Sequence, residues 1–182
     1  KLRDLLPDPA VLADMEPAAA RLARAAMQGE RVAIFGDYDV DGACSAALLG
    51  GFLEQCGVPY VIHIPDRITE GYGPNVEAIR ALAKEGAALL VTVDCGVTSF
   101  EPLAEARRLG LDAIVLDHHQ APEHLPEAVI VNPNRQDDLS GLGQLCAAGV
   151  VFMALAAVTR LLRQRGFFGA ARPAPCAQTA TR

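Results

Sequence analysis

"RVAIFGDYDVDGACSAALLGGFLEQCG", residues 31–57, holds three kinds of chain in order. Arg31–Phe35 is a short β-prone run, Gly36–Gly42 is polar and carries three aspartates, and Ala43–Gly57 reads as a helix stopped by glycine. The strand–loop–helix unit recurs downstream with different residues. "PYVIHI" (59–64), "ALLVTV" (88–93) and "DAIVL" (112–116) read as strands, and "AVIVN" (128–132) as a further short one. "PNVEAIRALAKEG" (74–86) and "SFEPLAEARRLG" (99–110) read as helices between them. Upstream, Leu12, Met15, Ala19, Leu22, Ala23 and Ala26 recur at helical spacing, which predicts a helix over Ala10–Gln28 with Gly29 as its stop. Strands alternating with helices predict an α/β fold, a mostly parallel sheet with helices on both faces.

At 182 residues and 51% hydrophobic, the chain is long enough to bury a sizeable core. Its net charge of −6 provides no global positive field for a polyanion, so any nucleic acid must be bound locally and with the help of metal. The five cysteines, Cys44, Cys56, Cys95, Cys146 and Cys176, are scattered and never form C-x-x-C, which argues against a disulfide framework and against structural zinc. No secretory signal is visible at the start, and the longest apolar run, Leu145–Val158, has the length of a core helix rather than a membrane span. The expectation is a soluble, cytoplasmic protein without a membrane partner. The chain starts with Lys, and "ARPAPCAQTATR" (171–182) has no periodicity, so it reads as a fragment.

Ligands of parallel sheets gather at the carboxyl ends of the strands. Three predicted strands end there directly in acids: "VAIF" runs into Asp37, Asp39 and Asp41, "LLVTV" into Asp94, and "AIVL" into Asp117, His118 and His119. Bare carboxylates this close cannot all ionise without raised pKa values, and a divalent cation removes the conflict. Carboxylates with one or two imidazoles suit Mn²⁺, or Mg²⁺ with fewer nitrogen ligands. Acids from several strands are enough for two ions, which together activate water and stabilise the leaving oxygen of a phosphoryl displacement.

Plainer readings compete with this one. Asp37-x-Asp39-x-Asp41-Gly42 opens like an EF-hand loop, but Leu48 stands where the bidentate Glu is required, and a strand precedes it. No P-loop pattern occurs. Taken singly, Asp94 is a turn residue and Asp117 a loop cap; their coincidence at strand ends is what favours ligands. His63 and His124 lack such company and read as structural. "DRITEGYGPN" (66–75) reads first as a turn into a helix; its functional reading makes Arg67 a phosphate contact and Tyr72 a surface for a base. "NPNR" (132–135) is a turn by composition, with Arg135 a candidate anion contact.

"FGDYDVDGACSAALL", "VTVDCGV", "VLDHHQAP", "VNPN" and "LCAAGVVF", in this order, resemble the DHH phosphoesterases, and within them the bacterial single-strand-specific exonucleases of the RecJ type. "LRDLLPDPAVLADMEPAAARLARA" and "PDRITEGYGPN" are similar to the same group, so the resemblance covers about residues 2–168. It implies a helical lead-in over 1–29, a DHH catalytic domain over 30–168 and an irregular tail over 169–182. It also implies a 5′→3′ exonuclease that degrades single-stranded DNA with Mn²⁺ or Mg²⁺, serving repair and recombination beside a single-strand-binding protein and a RecQ-type helicase. By position, Asp39, Asp41, Asp94 and His118 would be metal ligands, with Asp94 bridging two ions. Asp37 and His119 would support catalysis, and Asp117 would orient the histidines from behind.

Phe35 sits where some relatives place a histidine ligand, and Ala147 where a glycine is usual. The family's later metal-site aspartate has no counterpart here, since no acid follows Asp138. The catalytic domain is therefore expected to be incomplete at its C-terminal end, to hold its second ion weakly and to turn over slowly or not at all. Two alternatives stay open: a DHH phosphodiesterase for short oligonucleotides or cyclic dinucleotides, and a non-catalytic nucleic-acid-binding scaffold.

Overall fold

The computed structural model describes residues 6–170 and Ala174. Among them, β1 (Val32–Gly36), β2 (Tyr60–His63), β3 (Leu89–Val93), β4 (Asp112–Leu116) and β5 (Val129–Val131) form one sheet in the order β2-β1-β3-β4-β5. Every pairing is parallel. The helices are α1 (Met15–Gln28), α2 (Val40–Cys56), α3 (Val76–Lys84), α4 (Phe100–Arg108) and α5 (Ala147–Gln164).

The order explains why helices lie on both faces. Parallel crossovers are right-handed in nearly all proteins. The chain moves outward from β1 to β2 and then reverses past β1 to β3 and β4, so α2 packs on one face and α3 and α4 on the other. Strand alternation supplies both cores. Val32, Ile34, Leu89, Val91, Ile114 and Leu116 meet α1, α2 and α5, while Ala33, Phe35, Leu90, Val115 and Ile130 meet α3 and α4. The reversal between β1 and β3 is the switch point at which open α/β sheets bind ligands.

Two helix starts differ from the sequence expectation. Residues 10–28 do not form one helix: a 3-10 turn at Pro9–Val11 is followed by a break, and α1 begins at Met15. Pro17 has no N–H for the Ala13 carbonyl, so a helix running from Ala10 would fail there, whereas proline is tolerated in the first turn of α1. Asp14 makes the break in a left-handed conformation (φ 57°). In the other case the helix starts earlier. α2 begins at Val40, because Asp39 is extended and its Oδ1 accepts the Gly42 N–H at 2.9 Å. Asp41 therefore lies in a helical first turn instead of a loop.

The lead-in belongs to the main core, since Leu12, Met15 and Leu22 are buried in it. α5 is long and apolar enough to cross a membrane by length and composition, but its Val150, Val151, Ala154, Val158 and Leu162 are buried in the same core. Of the expected irregular tail, all but Gly169, Ala170 and Ala174 lies outside the described residues, as does Cys176.

Candidate metal centre

Because β1, β3 and β4 are neighbours in one parallel sheet, their exits bring Asp37, Asp39, Asp94, His118 and His119 together. Potential ligand atoms of Asp94, His118 and His119 lie within 4.8 Å of one another, as do those of Asp37, Asp39 and Asp94. Asp94 belongs to both groups. His118 Nε2 stands 3.2 Å from Asp94 Oδ1 and 3.7 Å from Asp41 Oδ2. Two grooves, of about 350 Å³ between α1 and α5 and about 400 Å³ beside Arg21 and Asp112, lie elsewhere and hold none of these residues.

Two aspartates buried to the same depth on this edge have opposite surroundings. Asp117 is 1% exposed and fully used. Its Oδ1 accepts from His118 N, His119 N and His119 Nδ1 at 2.7, 3.2 and 2.7 Å, and its Oδ2 accepts from Val97 N at 3.1 Å. A carboxylate can only accept, so His119 carries its proton on Nδ1 and keeps Nε2 free when neutral. Asp94, also 1% exposed, has no hydrogen-bond partner on either carboxylate oxygen. It sits at φ 61° in the turn after β3, a conformation rare outside glycine. Burial, followed by the charge of Asp41, pushes its pKa up to about 7. Burial also raises Asp37, whereas the Gly42 N–H lowers Asp39. Burial pushes the His119 imidazole down, but the Asp117 carboxylate on its Nδ1, with Asp94 and Asp37 behind, raises it overall. A buried, acceptor-only carboxylate without donors, flanked by other acids and an imidazole, is a donor set that fits a divalent cation.

Asp41 performs a task the sequence did not reveal. Its two oxygens accept the N–H groups of Ala147 and Ala148 at 2.8 and 2.9 Å, so it caps the start of α5 from another helix. α5 has no acid in its first turn and no side-chain cap of its own. Asp41→Ala is expected to cost about 1–2 kcal/mol through these freed donors and the lost charge at the helix N-terminus. The corresponding fall in melting temperature is roughly 2–8 °C for a chain of this size. It should be measured in chelator near pH 5, where Asp94 is protonated and removing the Asp41 charge brings no relief. An unchanged melting temperature would refute the capping role.

The 65–75 loop brings Arg67 and Tyr72 to the same edge. The Arg67 guanidinium lies 4.9 Å from the Tyr38 ring centre, and its charge is felt at Asp37. The Tyr72 hydroxyl donates to the Asp94 carbonyl at 3.4 Å, and its ring stands edge-on to His119 at 6.1 Å. Glu70, which sequence reasoning passed over, ties this loop together: it accepts from Asp66 N at 2.9 Å, meets His63 Nε2 at 2.9 Å and accepts from Asn75 Nδ2 at 3.3 Å.

Arg135 corrects the expectation of an anion contact. Its guanidinium donates to Asp14, to the Ile130 carbonyl and to both oxygens of Asp137, and its side chain is 8% exposed. It clamps the turn after β5 to the start of α1 and leaves no free face for phosphate. Asn132 and Asn134, read only as turn formers, reach the histidine turn: Asn132 Nδ2 donates to the His119 carbonyl at 2.9 Å, and Asn134 Nδ2 to that of His118.

The family description "DHH family, N-terminal domain" matches residues 31–175. The chain belongs to the DHH family. It is 37% identical over 146 residues to the single-stranded-DNA-specific exonuclease RecJ of Bacillus subtilis, covering 80% of this chain and 19% of that protein. A crystal structure of exonuclease RecJ bound to manganese is 37% identical and superposes with a TM-score of 0.77 over 87% of this chain and 39% of the other. RecJ of Thermus thermophilus in complex with Mn²⁺ is 31% identical, with a TM-score of 0.71 over 94% of this chain and 22% of the other. This DHH chain thus spans about a fifth of the length of the Bacillus relative.

Proposed function

We propose that this DHH chain carries the nuclease centre of a metal-dependent, 5′→3′ single-stranded-DNA exonuclease acting in DNA repair and recombination. The supporting observation is Asp94, buried at the β1/β3 switch point with no donor to either oxygen. The names of its relatives, single-strand-specific exonucleases whose structures hold manganese, support the same reading.

Asp39, Asp41, Asp94 and His118 would hold Mn²⁺ or Mg²⁺, and Asp94, the residue common to both groups of candidate ligands, would be the central ligand. When bound, a pair of such ions lowers the pKa of a water and neutralises charge on the phosphate. The chain's own residues do the rest. His119, its Nδ1–H committed to Asp117, keeps Nε2 for the phosphate or for water. Asp37 would orient water or contact the phosphate, and its carboxylate fixes the loop by accepting the Tyr38 N–H. Arg67, stacked on Tyr38, meets a phosphate, and Tyr72 offers its exposed ring to a base. With a net charge of −6, affinity comes from this edge and not from the whole surface. A single-strand-binding protein and a RecQ-type helicase are the partners, and the cytoplasm is the place of action.

The test uses single strands labelled at the 5′ or the 3′ end, and duplex controls, with Mn²⁺ or chelator. The expected result is metal-dependent nucleotide release from the 5′ end of single strands, lost in Asp94→Ala. Activity that survives chelator or Asp94→Ala would reject the metal centre. Cleavage confined to dinucleotides would favour the short-oligonucleotide phosphodiesterase.

A further inference from the structure

We propose that Asn132 and Asn134 are positioning residues of the metal centre: amides from the exit of β5 grip the main-chain carbonyls of His119 and His118 and set where both imidazoles stand. The inference rests on the reading of the acidic edge as a metal centre.

Beyond β4 the histidine turn keeps one strand-like bond, from Asp117 N to the Val131 carbonyl at 3.1 Å. Asp117 then holds the turn by its N–H groups, as described above. The carbonyls of the same two residues point at a different pair of partners. Asn132 is fully buried, and its Nδ2 donates to His119 O at 2.9 Å. Its Oδ1 accepts the Asn134 N–H at 2.8 Å, so the neighbouring N–H and C=O together dictate which way the amide points. Asn134 Nδ2 donates to His118 O. The Asn134 amide cannot swing away freely, because Gly143 packs so closely on it that a Cβ placed there would stand 2.8 Å from Asn134 Oδ1. The loop toward α5 closes over it. The turn is therefore held from two sides, by a carboxylate on its donors and by two amides on its acceptors. A slip of the turn would move both imidazoles away from Asp94, which His118 Nε2 approaches to 3.2 Å. Groups that orient metal ligands typically affect affinity by about 10–100-fold.

The experiment measures Mn²⁺ binding to the full chain by the electron paramagnetic resonance signal of free Mn²⁺, which needs no turnover. It compares the parent with Asp94→Ala, Asn134→Leu, Asn134→Asp and Asn132→Asp, and records each melting temperature in chelator. Leu keeps the volume without a charge and Asp keeps the shape with one, so a shared loss is not a charge effect. Both Asn134 variants are expected to bind Mn²⁺ about 10–100-fold more weakly. Their metal-free melting temperatures should stay near the parent's, and nuclease activity should return at raised Mn²⁺ with KM for DNA unchanged. Asn134 is half-buried, so it decides the matter even where the fully buried Asn132 variant does not fold. If the Asn134 variants bind as the parent does while Asp94→Ala fails, the clamp is wrong and the metal centre stands. If the parent binds no Mn²⁺, both readings fall.

Discussion

Asp94→Asn is expected to make the metal-free protein more stable at alkaline pH while abolishing its stabilisation by Mn²⁺. The carboxyl is buried without donors, and its folded pKa is about 7 against an ordinary value of 3.8. Between those values the folded state binds more protons than the unfolded one, so stability falls as pH rises from about 4 through about 7 and levels off above. Asparagine removes that slope. It also tolerates the left-handed backbone at φ 61°, where alanine would add strain. The gain over the parent should reach the order of a few kcal/mol at pH 8, fall to less than half of that at pH 5 and vanish only below about pH 4. The reverse holds with metal. At a Mn²⁺ concentration about 100-fold above Kd the parent should gain about 2.7 kcal/mol, more readily above pH 7 where Asp94 has lost its proton, and the variant should gain nothing. Thermal melts at both pH values, with Mn²⁺ and with chelator, decide it. A variant that is less stable than the parent at pH 8 would show that Asp94 is satisfied in a way the geometry does not reveal.

Gly42→Ala should be among the most damaging small substitutions at the described residues. A Cβ at Gly42 would lie 2.4 Å from the Asp37 carbonyl oxygen and 2.9 Å from its Cα, and backbone atoms cannot step aside as a side-chain tip can. The clash falls where the loop between β1 and α2 folds back so that Asp39 can cap the helix. The expected cost is about 3 kcal/mol or more, with loss of Mn²⁺ binding because Asp37 and Asp39 are displaced together. Gly51 of the same helix provides the control. Nothing lies within 4 Å of its added Cβ, so Gly51→Ala should be neutral or stabilise by up to about 1 kcal/mol. Chemical denaturation of the two variants beside the parent measures the contrast, and equal midpoints would overturn it.

Much of the architecture was legible because its causes are local. Val32–Phe35, Leu89–Val93 and Asp112–Leu116 alternate residues that a pleated strand sends to opposite faces, and Gly29 and Gly57 take the left-handed turn that ends a helix. The helix starts were less legible: Asp14 bonds to Ile130 and Arg135 from far along the chain, while Asp39 caps α2 locally through the Gly42 N–H, so that the helix takes in residues that read as loop. Arg135 shows the same limit. Its composition fits an anion contact, but Asp14, far upstream in the chain, already occupies it.

By itself, the sequence determined that this chain forms a parallel α/β sheet whose strands run into Asp37, Asp39, Asp94 and His118, because periodicity and strand exits are properties of neighbouring residues. Only the tertiary structure decided that β1, β3 and β4 lie side by side and that Asp117 is saturated while Asp94 has no donor. It alone also placed Asp41 on the start of α5 and the two asparagines on the histidine turn. The physical reason is that hydrogen-bond satisfaction in a buried site depends on groups brought from distant parts of the chain, and no local pattern encodes which donor arrives.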